Sequence, residues 1–359
     1  MTTGSAGWSG AASDRPTLDT VAAAAGVSRM TVSNAYNHPD QLSAATRARV
    51  LETAHRLGYQ GPDPTAASLR LGRTGTVGVV LTERLPYAFA DPGMVSILHG
   101  IATELSSAGN ALALVPSSRP DGQSLLRHAM VDGLILCGVD DADTSVPAAL
   151  ARHLPMVTVG NPRLVGIPWV GIDNRRTAAL VADHLLGLGH RRFAAITTAV
   201  GEKSGPHPLF VQRVEGFRNR LLANGVNRDD IEVTCAAENS RIAAHELGRD
   251  VLARPPDQRP TALFAVTDIL ALGILDATTE LGAAVPGDLS LVGFDGIPES
   301  ATSTPPLTTI SQRLFTQGSV AAQLVLHMIA GKTVRVSRFT AKLEVRASTS
   351  SPRAVAAQL

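Results

Sequence analysis

The pattern of apolar and polar positions divides the chain into unequal parts. Residues 1–16 are small and polar and are expected to be disordered. From residue 17 to 60, short helical segments alternate with capping and breaking residues. Thr17 suits the N-cap of a helix over Leu18–Ala25, with Asp19 in the first turn, where negative charge is favoured, and Gly26 ending it. Ser28 suits the next cap, and Val27 and Val32 stand at the two positions of a hydrophobic staple. The second helix is expected over about Arg29–Tyr36 and is broken by Asn37-His38-Pro39-Asp40. Ser43 caps a third helix reaching Leu57, which Gly58 stops. Two short helices joined by a tight glycine-containing turn and supported by a third form a helix-turn-helix. Val21, Val27, Val32, Val50 and Leu57 are its expected core.

The second helix is polar along the face that would enter a DNA major groove. Arg29 matches guanine edges, Asn34 matches adenine or a phosphate, and Met30 can press on a thymine methyl. Ser28 and Thr31 suit phosphate contacts, which set position and not sequence. Thr17 at the first cap, and Ser33 and Asn37 on the second helix, complete the expected DNA-contacting set in the head. Residues 61–75 read as a hinge: Pro62 and Pro64 stiffen its entry, and a short helix from there to Leu71 is marginal alone. Such a helix can fold when two copies meet on DNA, with Leu69 as a wedge in the minor groove and Arg70 and Arg73 on phosphates. A plain linker is the alternative.

Beyond residue 75 the rhythm becomes that of an α/β domain, expected over 76–346. Short apolar runs at Thr76–Leu81, Ala111–Val115, Leu134–Cys137, Met156–Val159, Phe193–Ile196, Ile231–Cys235, Ala262–Ala265 and Leu289–Phe294 read as strands. Helical stretches such as Gly100–Ala108, Asn174–Leu188 and Val214–Ala223 lie between them. This alternation predicts parallel sheets covered by helices on both faces, with strands enough for two lobes and a cleft between them. Residues 347–359 read as a flexible tail.

Composition narrows the function. The chain has 359 residues, enough for two or three units, and 44% of them are hydrophobic but only 4% aromatic, so the cores are built of Ala, Val, Leu and Ile. A net charge of +1 says nothing about nucleic acid; over residues 1–75, seven arginines against five acidic residues are mildly permissive. The two cysteines form no CxxC pattern, Cys137 sits in an apolar run, and a reducing compartment is expected. The first residues lack a secretory pattern and no 18-residue apolar stretch occurs, so a cytoplasmic protein without membrane contact is expected. No GxGxxG after a strand, no GxxxxGK[ST] and no metal-ligand spacing appears, and His190 and His207 are isolated. An enzyme and an exported solute-binding protein are therefore the weaker readings, and no cofactor is expected.

Taken together the pieces closely resemble the LacI/GalR family of bacterial transcription regulators over about residues 17–346. The head TLDTVAAAAGVSRMTVSNAYNHPDQLSAATRARVLETAHRLGY (17–59) and the hinge GPDPTAASLR (61–70) carry it first. In the sensor, GTVGVVLTE, VDGLILCGV, VGIDN, GLGHRRFAAI, RVEGFRNRL, TALFAVTDILALGIL, VPGDLSLVGFDGIPES and PPLTTISQ agree in order and spacing.

The resemblance implies a homodimer that binds a near-palindromic operator, usually as a repressor. It also implies a periplasmic-binding-protein-like sensor for a small-molecule effector, a sugar before a nucleoside. Lobe one would comprise about 76–170 and 303–336, lobe two about 171–302 and 337–346, with crossovers near 170, 300 and 337. The operator-choosing positions correspond to Arg29 and Met30; a later position that is often Arg in the family is Asn34 here. The effector-gripping arginine corresponds to Arg213, an aspartate facing sugar hydroxyls to Asp295, and an Asn/Asp position to Asp268. Phe89 and Asp91 would stand at the pocket mouth, Phe89 as a stacking group. Structural roles compete: Arg213 at the surface, Asp295 in a turn with Gly296, Asp268 or Asp91 as helix caps, and Trp169 as either a stacking group or part of a crossover.

Overall fold

A computed structural model describes residues 16–61, 72–81, 85–117, 125–200, 204–335 and 339–353. The chain forms two compact units that divide between Thr74 and Gly75.

In the smaller unit three helices surround a small apolar core. Helix α1 (Leu18–Ala25) opens on a reciprocal cap: Thr20 N donates to Thr17 Oγ1 at 3.3 Å and Thr17 N to Thr20 Oγ1 at 3.2 Å. Gly26 closes it in the left-handed region, φ 64°, where a side chain would be strained. Ser28 caps α2 (Arg29–Asn37) and Ser43 caps α3 (Ala44–Arg56), each accepting the N–H three residues on. Val21, Val32 and Val50 are fully buried, with Ala35, Ala54 and Tyr59 around them; Val27 and Leu57 pack against this core from its edge.

The larger unit is two α/β lobes. Lobe one holds β1 (Thr76–Leu81), α4 (Leu85–Ala90), α5 (Pro92–Ser107), β2 (Ala111–Pro116), β3 (Gly133–Cys137), α6 (Ser145–Leu150), β4 (Met156–Val159) and β5 (Trp169–Val170). Its five strands are all parallel in the order β2-β1-β3-β4-β5, with Val79 of β1 opposite Leu114 of β2 and Ile135 of β3. Near-continuous Val, Ile and Leu along β1 and β3 reflects burial on both faces.

Lobe two holds α7 (Asn174–Gly187), β6 (Phe193–Val200), β7 (Ser204–Pro206), α8 (Pro208–Ala223), β8 (Ile231–Ala236), α9 (Arg241–Ala253), β9 (Ala262–Ala265), α10 (Asp268–Glu280), β10 (Ser290–Asp295), α11 (Pro298–Thr302) and β11 (Thr308–Ser311). Its parallel strands run β8-β6-β9-β10-β11, the same winding as lobe one. Helix α12 (Leu314–Ile329) returns to lobe one against α5, and β12 (Lys342–Glu344) returns to lobe two. The α5–α12 contact is backbone on backbone. A Cβ on Gly100 would lie 2.1 Å from Phe315 O, and one on Gly318 would lie 2.1 Å from Ile97 O.

Three expectations need correction. The second sheet is mixed, because β12 runs antiparallel to β11 and β7 antiparallel to β6. Lobe two does not end near 302: β11 pairs with β10, so the crossover falls at Gln312–Arg313 and lobe one regains the chain only at α12. The string after 346 is not wholly a flexible tail. Ser348 is fully buried, its hydroxyl donating to Leu291 O (2.6 Å) and accepting from Thr308 N (2.8 Å), while Leu291 N donates to Ser348 O (2.8 Å). Small hydroxyl residues look like solvated linker by composition, yet they satisfy backbone groups at β10 and β11 that would otherwise be buried without partners. His190, isolated in the sequence, bridges Thr261 Oγ1 and Ser350 O at 2.9 Å each. No described helix is long and apolar enough to cross a membrane.

Candidate functional site

The head presents its candidate residues on α2. Met30 is 67% exposed, and Arg29 and Asn37 are exposed beside it, while Thr31 and Asn34 are half-buried. Ser28 remains exposed while its hydroxyl caps the helix. Thr17 is exposed but its hydroxyl is engaged by the α1 cap. Ser33 departs from expectation: at 5% exposure it faces the interior and accepts from Asn37 Nδ2 at 3.4 Å. It lies one residue from Val32 on the buried side of the helix, so it supports Asn37 and does not reach outward.

Two partners were not legible in the sequence. Asp19 on α1 pairs with Arg29, Oδ1 to Nε 3.0 Å, at the exposed junction of the first two helices. Gln41 accepts from Asn34 Nδ2 at 3.1 Å. Leu69 and Arg70 lie outside the described residues.

The second site lies at the carboxyl ends of both sheets' strands, where doubly wound folds bind ligands. Leu81 ends β1, Cys137 ends β3, Val159 ends β4, Asp295 ends β10 and Thr267 follows β9; together with Asp91, His207, Phe210, Arg213 and Gln312 they line a cavity of about 120 Å³. Arg213 projects from α8 and is 4% exposed. Its guanidinium stacks 4.0 Å from the ring centre of Phe294. Nε donates to Asn174 Oδ1 (2.9 Å), and Nη1 donates to Val266 O (2.5 Å) and to Asp295 Oδ1 (3.1 Å).

Asp295 also accepts from Gln312 Nε2 at 2.6 Å, and its φ of 133° is a backbone state rare outside glycine. Burial pushes its carboxyl up to about 8, against the pull of Arg213 and with the push of Asp268 and Asp91. Burial likewise raises the Asp91 carboxyl, although Gly93 N donates to it at 2.9 Å.

His207 crosses between lobes. Its Nδ1 accepts from Leu209 N (3.2 Å), so Nε2 carries the proton and donates to Gly138 O of lobe one at 2.8 Å. Burial lowers its pKa, keeping the ring neutral.

The structure brings Arg213, Asp295 and Asp91 together and separates two other expected members. Asp268 is fully buried beneath the cleft. Its carboxylate accepts from Gly296 N (2.8 Å), Ile297 N (2.9 Å) and Thr309 Oγ1, leaving no free face for a ligand, and burial raises it to about 6. The neighbouring Thr267, which caps α10, is the residue at the cavity wall. Phe89 is 65% exposed and is not among the cavity-lining residues; Phe210 and Phe294 are the rings beside Arg213. Trp169 belongs to the crossover, its Nε1 donating to Gly160 O at 2.7 Å.

A three-helix DNA-reading head and a two-lobed α/β sensor with a charged cleft define a ligand-responsive DNA-binding regulator. The chain belongs to the lacI family of bacterial regulatory proteins: that family's model matches residues 17–61, and the model of the periplasmic binding protein-like domain matches 182–349. It is 39% identical over 329 residues, 87% of this chain and 90% of the other, to the HTH-type transcriptional regulator Rv3575c of Mycobacterium tuberculosis. Among solved structures it is similar to the transcriptional regulator CelR–cellobiose complex, at 31% identity and TM-score 0.64, covering 93% of this chain and 100% of that one. It is also similar to the lac repressor dimer bound to operator and the anti-inducer ONPF, at 26% identity and TM-score 0.75, covering 93% and 99%. The protein is a transcription regulator and not an enzyme.

Proposed function

We propose that the protein is a cytoplasmic homodimeric repressor whose operator affinity is set by a sugar-like effector held between the lobes. The observation that carries this reading is the convergence of Arg213, Asp295 and Asp91 at the meeting of two strand-end faces. Ionised carboxylates accept from ligand hydroxyls and a guanidinium donates to them, the complement that a polyol requires. Apolar Leu81, Met94, Ile97 and Phe210 supply a wall for the carbon face of a ring. The cellobiose bound by one relative and the operator-bound dimer of another support the two halves of the reading.

Arg29, Met30 and Asn34 read bases, Ser28, Thr31 and Thr17 position the head on phosphates, and Asn37 flanks them. Leu69 and Arg70 complete the operator contact as minor-groove wedge and phosphate ligand. Effector shifts the equilibrium between two arrangements of the lobes, and the arrangement it favours binds operator less well. His207, which spans the lobes, is part of what must be remade in that shift.

The test is capture of genomic fragments by the purified protein at fixed, near-physiological salt, followed by release with a panel of monosaccharides, disaccharides and nucleosides. A few palindromic sites, released by one sugar, support the reading. Release by a nucleoside alone replaces the effector class, and uniform retention removes the operator.

A further inference from the structure

A second cavity, of about 680 Å³, opens at the crossover between the lobes and, among the described residues, shares no lining residue with the effector cleft. Arg163, Trp169, Asp173, Arg176, Leu180 and Phe339 form its walls. They come from the loop between β4 and β5, from β5 itself, from the chain that follows it into α7, and from the segment that re-enters lobe two before β12. The volume is that of a pocket for a small organic molecule.

Its chemistry is cationic and prearranged. The Arg163 guanidinium carbon sits over the Trp169 ring, 3.8 Å from its centre. Trp169 in turn is held: Nε1 donates to Gly160 O, and the ring lies against Gly171, where an added Cβ would stand 2.6 Å from it. An arginine held on an immobile ring keeps its planar fork in one orientation at reduced entropic cost. Its protein bond is a long one, Nη2 to Ile172 O at 3.4 Å.

Arg176 stands in the first turn of α7, and neither arginine has an ion pair among the described residues. The adjacent Arg175 and Arg220, by contrast, are paired with Glu215 and Asp183. Among the described residues Asp173 is the one acid on the wall, and it is engaged as the α7 cap, accepting from Arg176 N at 3.0 Å. Leu180, one turn after Arg176 on α7, and Phe339 provide the apolar part of the lining.

We propose that this crossover cavity is a second ligand site, for a small organic phosphate, with the phosphate on Arg163 and Arg176 and the organic body on Leu180 and Phe339. Two guanidiniums match a dianion with three terminal oxygens, and the apolar wall distinguishes an organic monoester from the free anion. A ligand that bridges two of the crossovers holds one lobe arrangement over another, which makes it a modulator of the effector response. Binding at this site stands apart from the effector reading; only its consequence for operator affinity rests on that reading.

Trp169 makes the test direct, because the chain has two tryptophans and Trp8→Phe leaves Trp169 as the sole indole. Full-length Trp8→Phe protein is titrated with phenyl phosphate, inorganic phosphate and phenol while indole emission is followed. The expected result is a saturable change with phenyl phosphate at sub-millimolar concentration, weaker binding of inorganic phosphate and none of phenol. Arg163→Gln and Arg176→Gln are expected to weaken phenyl phosphate by roughly tenfold or more each, the loss of charge-assisted bonds. Arg213→Gln, in the other cleft, is expected to leave the titration unchanged, so failure of the effector reading does not register here. No saturable change up to about 10 mM, equal affinity for inorganic phosphate, or an unaltered titration in the double glutamine variant would each overturn the assignment.

Discussion

Arg213 and Asp295 are joined by a single hydrogen bond, Nη1 to Oδ1 at 3.1 Å, in a place almost wholly removed from water. The pair is not closed on itself. The guanidinium reaches Asn174 and Val266 as well, the carboxyl reaches Gln312, and Asp91 lines the same cavity. A ligand entering here meets a donor and an acceptor already oriented.

Removing the cation separates its two roles. Arg213→Gln leaves Asp295 and Asp91 without their counter-charge, and breaking a buried pair typically costs about 3–5 kcal/mol. Protonation of Asp295 softens that cost, so a loss of about 2–4 kcal/mol in urea unfolding is expected. Operator affinity without effector is expected to stay within about threefold of the parent. Effector-induced release is expected to vanish.

The raised Asp295 carboxyl has a signed consequence for pH. The native state keeps a proton that the unfolded chain gives up near the ordinary carboxylate value of about 4. Between there and about 8 the native state binds more protons, so this group's contribution to stability falls as pH rises through that window. The difference in unfolding free energy between the parent and Asp295→Asn is therefore expected to decline from pH 5 to 8, by about 1.4 kcal/mol per pH unit at most. Ligand hydroxyls favour the ionised carboxyl, so effector binding is expected to release protons near neutrality. Titration calorimetry in buffers of different ionisation enthalpy measures this, and proton uptake would contradict the sign.

Helices α5 and α12 have no room for a side chain where they cross. Gly100→Ala and Gly318→Ala each place a methyl on opposing backbone at 2.1 Å, not on a movable side-chain end. Each is expected to destabilise by about 1–3 kcal/mol or more, read in chemical denaturation. Gly187→Ala, with nothing within 4 Å of the added carbon, is the neutral control.

Ser348→Ala tests the docked C-terminal segment. The change leaves the buried N–H of Thr308 without its acceptor and Leu291 O without a hydroxyl donor, at an expected cost of about 1–3 kcal/mol. A change below about 0.5 kcal/mol would return the segment to the status of a tail.

In the head, Ser28→Ala removes a cap and is expected to cost about 1 kcal/mol. Asp19→Ala removes an exposed partner of Arg29 and is expected to cost under about 1 kcal/mol. Its effect belongs on DNA, where a released Arg29 is expected to change preference at one base position, measured with single-base operator variants.

Much of this was legible in the chain because local rules agreed. Thr17, Ser28 and Ser43 announced three helices that the structure starts where they predict. Apolar runs placed eight strands to within a few residues. What escaped was decided by tertiary contact. Asp268 has the residue type of a ligand group but points at the backbone of Gly296 and Ile297. Phe89 was an aromatic near a strand end, and nothing in its spacing distinguished it from Phe210, which stands beside Arg213. Thr308–Ser311 is rich in hydroxyls and short, so its place as a strand in lobe two, and with it the crossover at Gln312, came only from its pairing with β10. His207 looked isolated because its partner, the carbonyl of Gly138, lies in the other lobe.

The most direct test of the account is operator release by effector in the parent and in Asp295→Asn, side by side, on a captured operator at fixed salt. Equal operator affinity without effector is expected, with release of the parent at the effector's working concentration and a shift of at least about tenfold in that concentration for the variant. Release of both proteins at the same concentration would contradict the placement of the effector on Asp295 and Arg213.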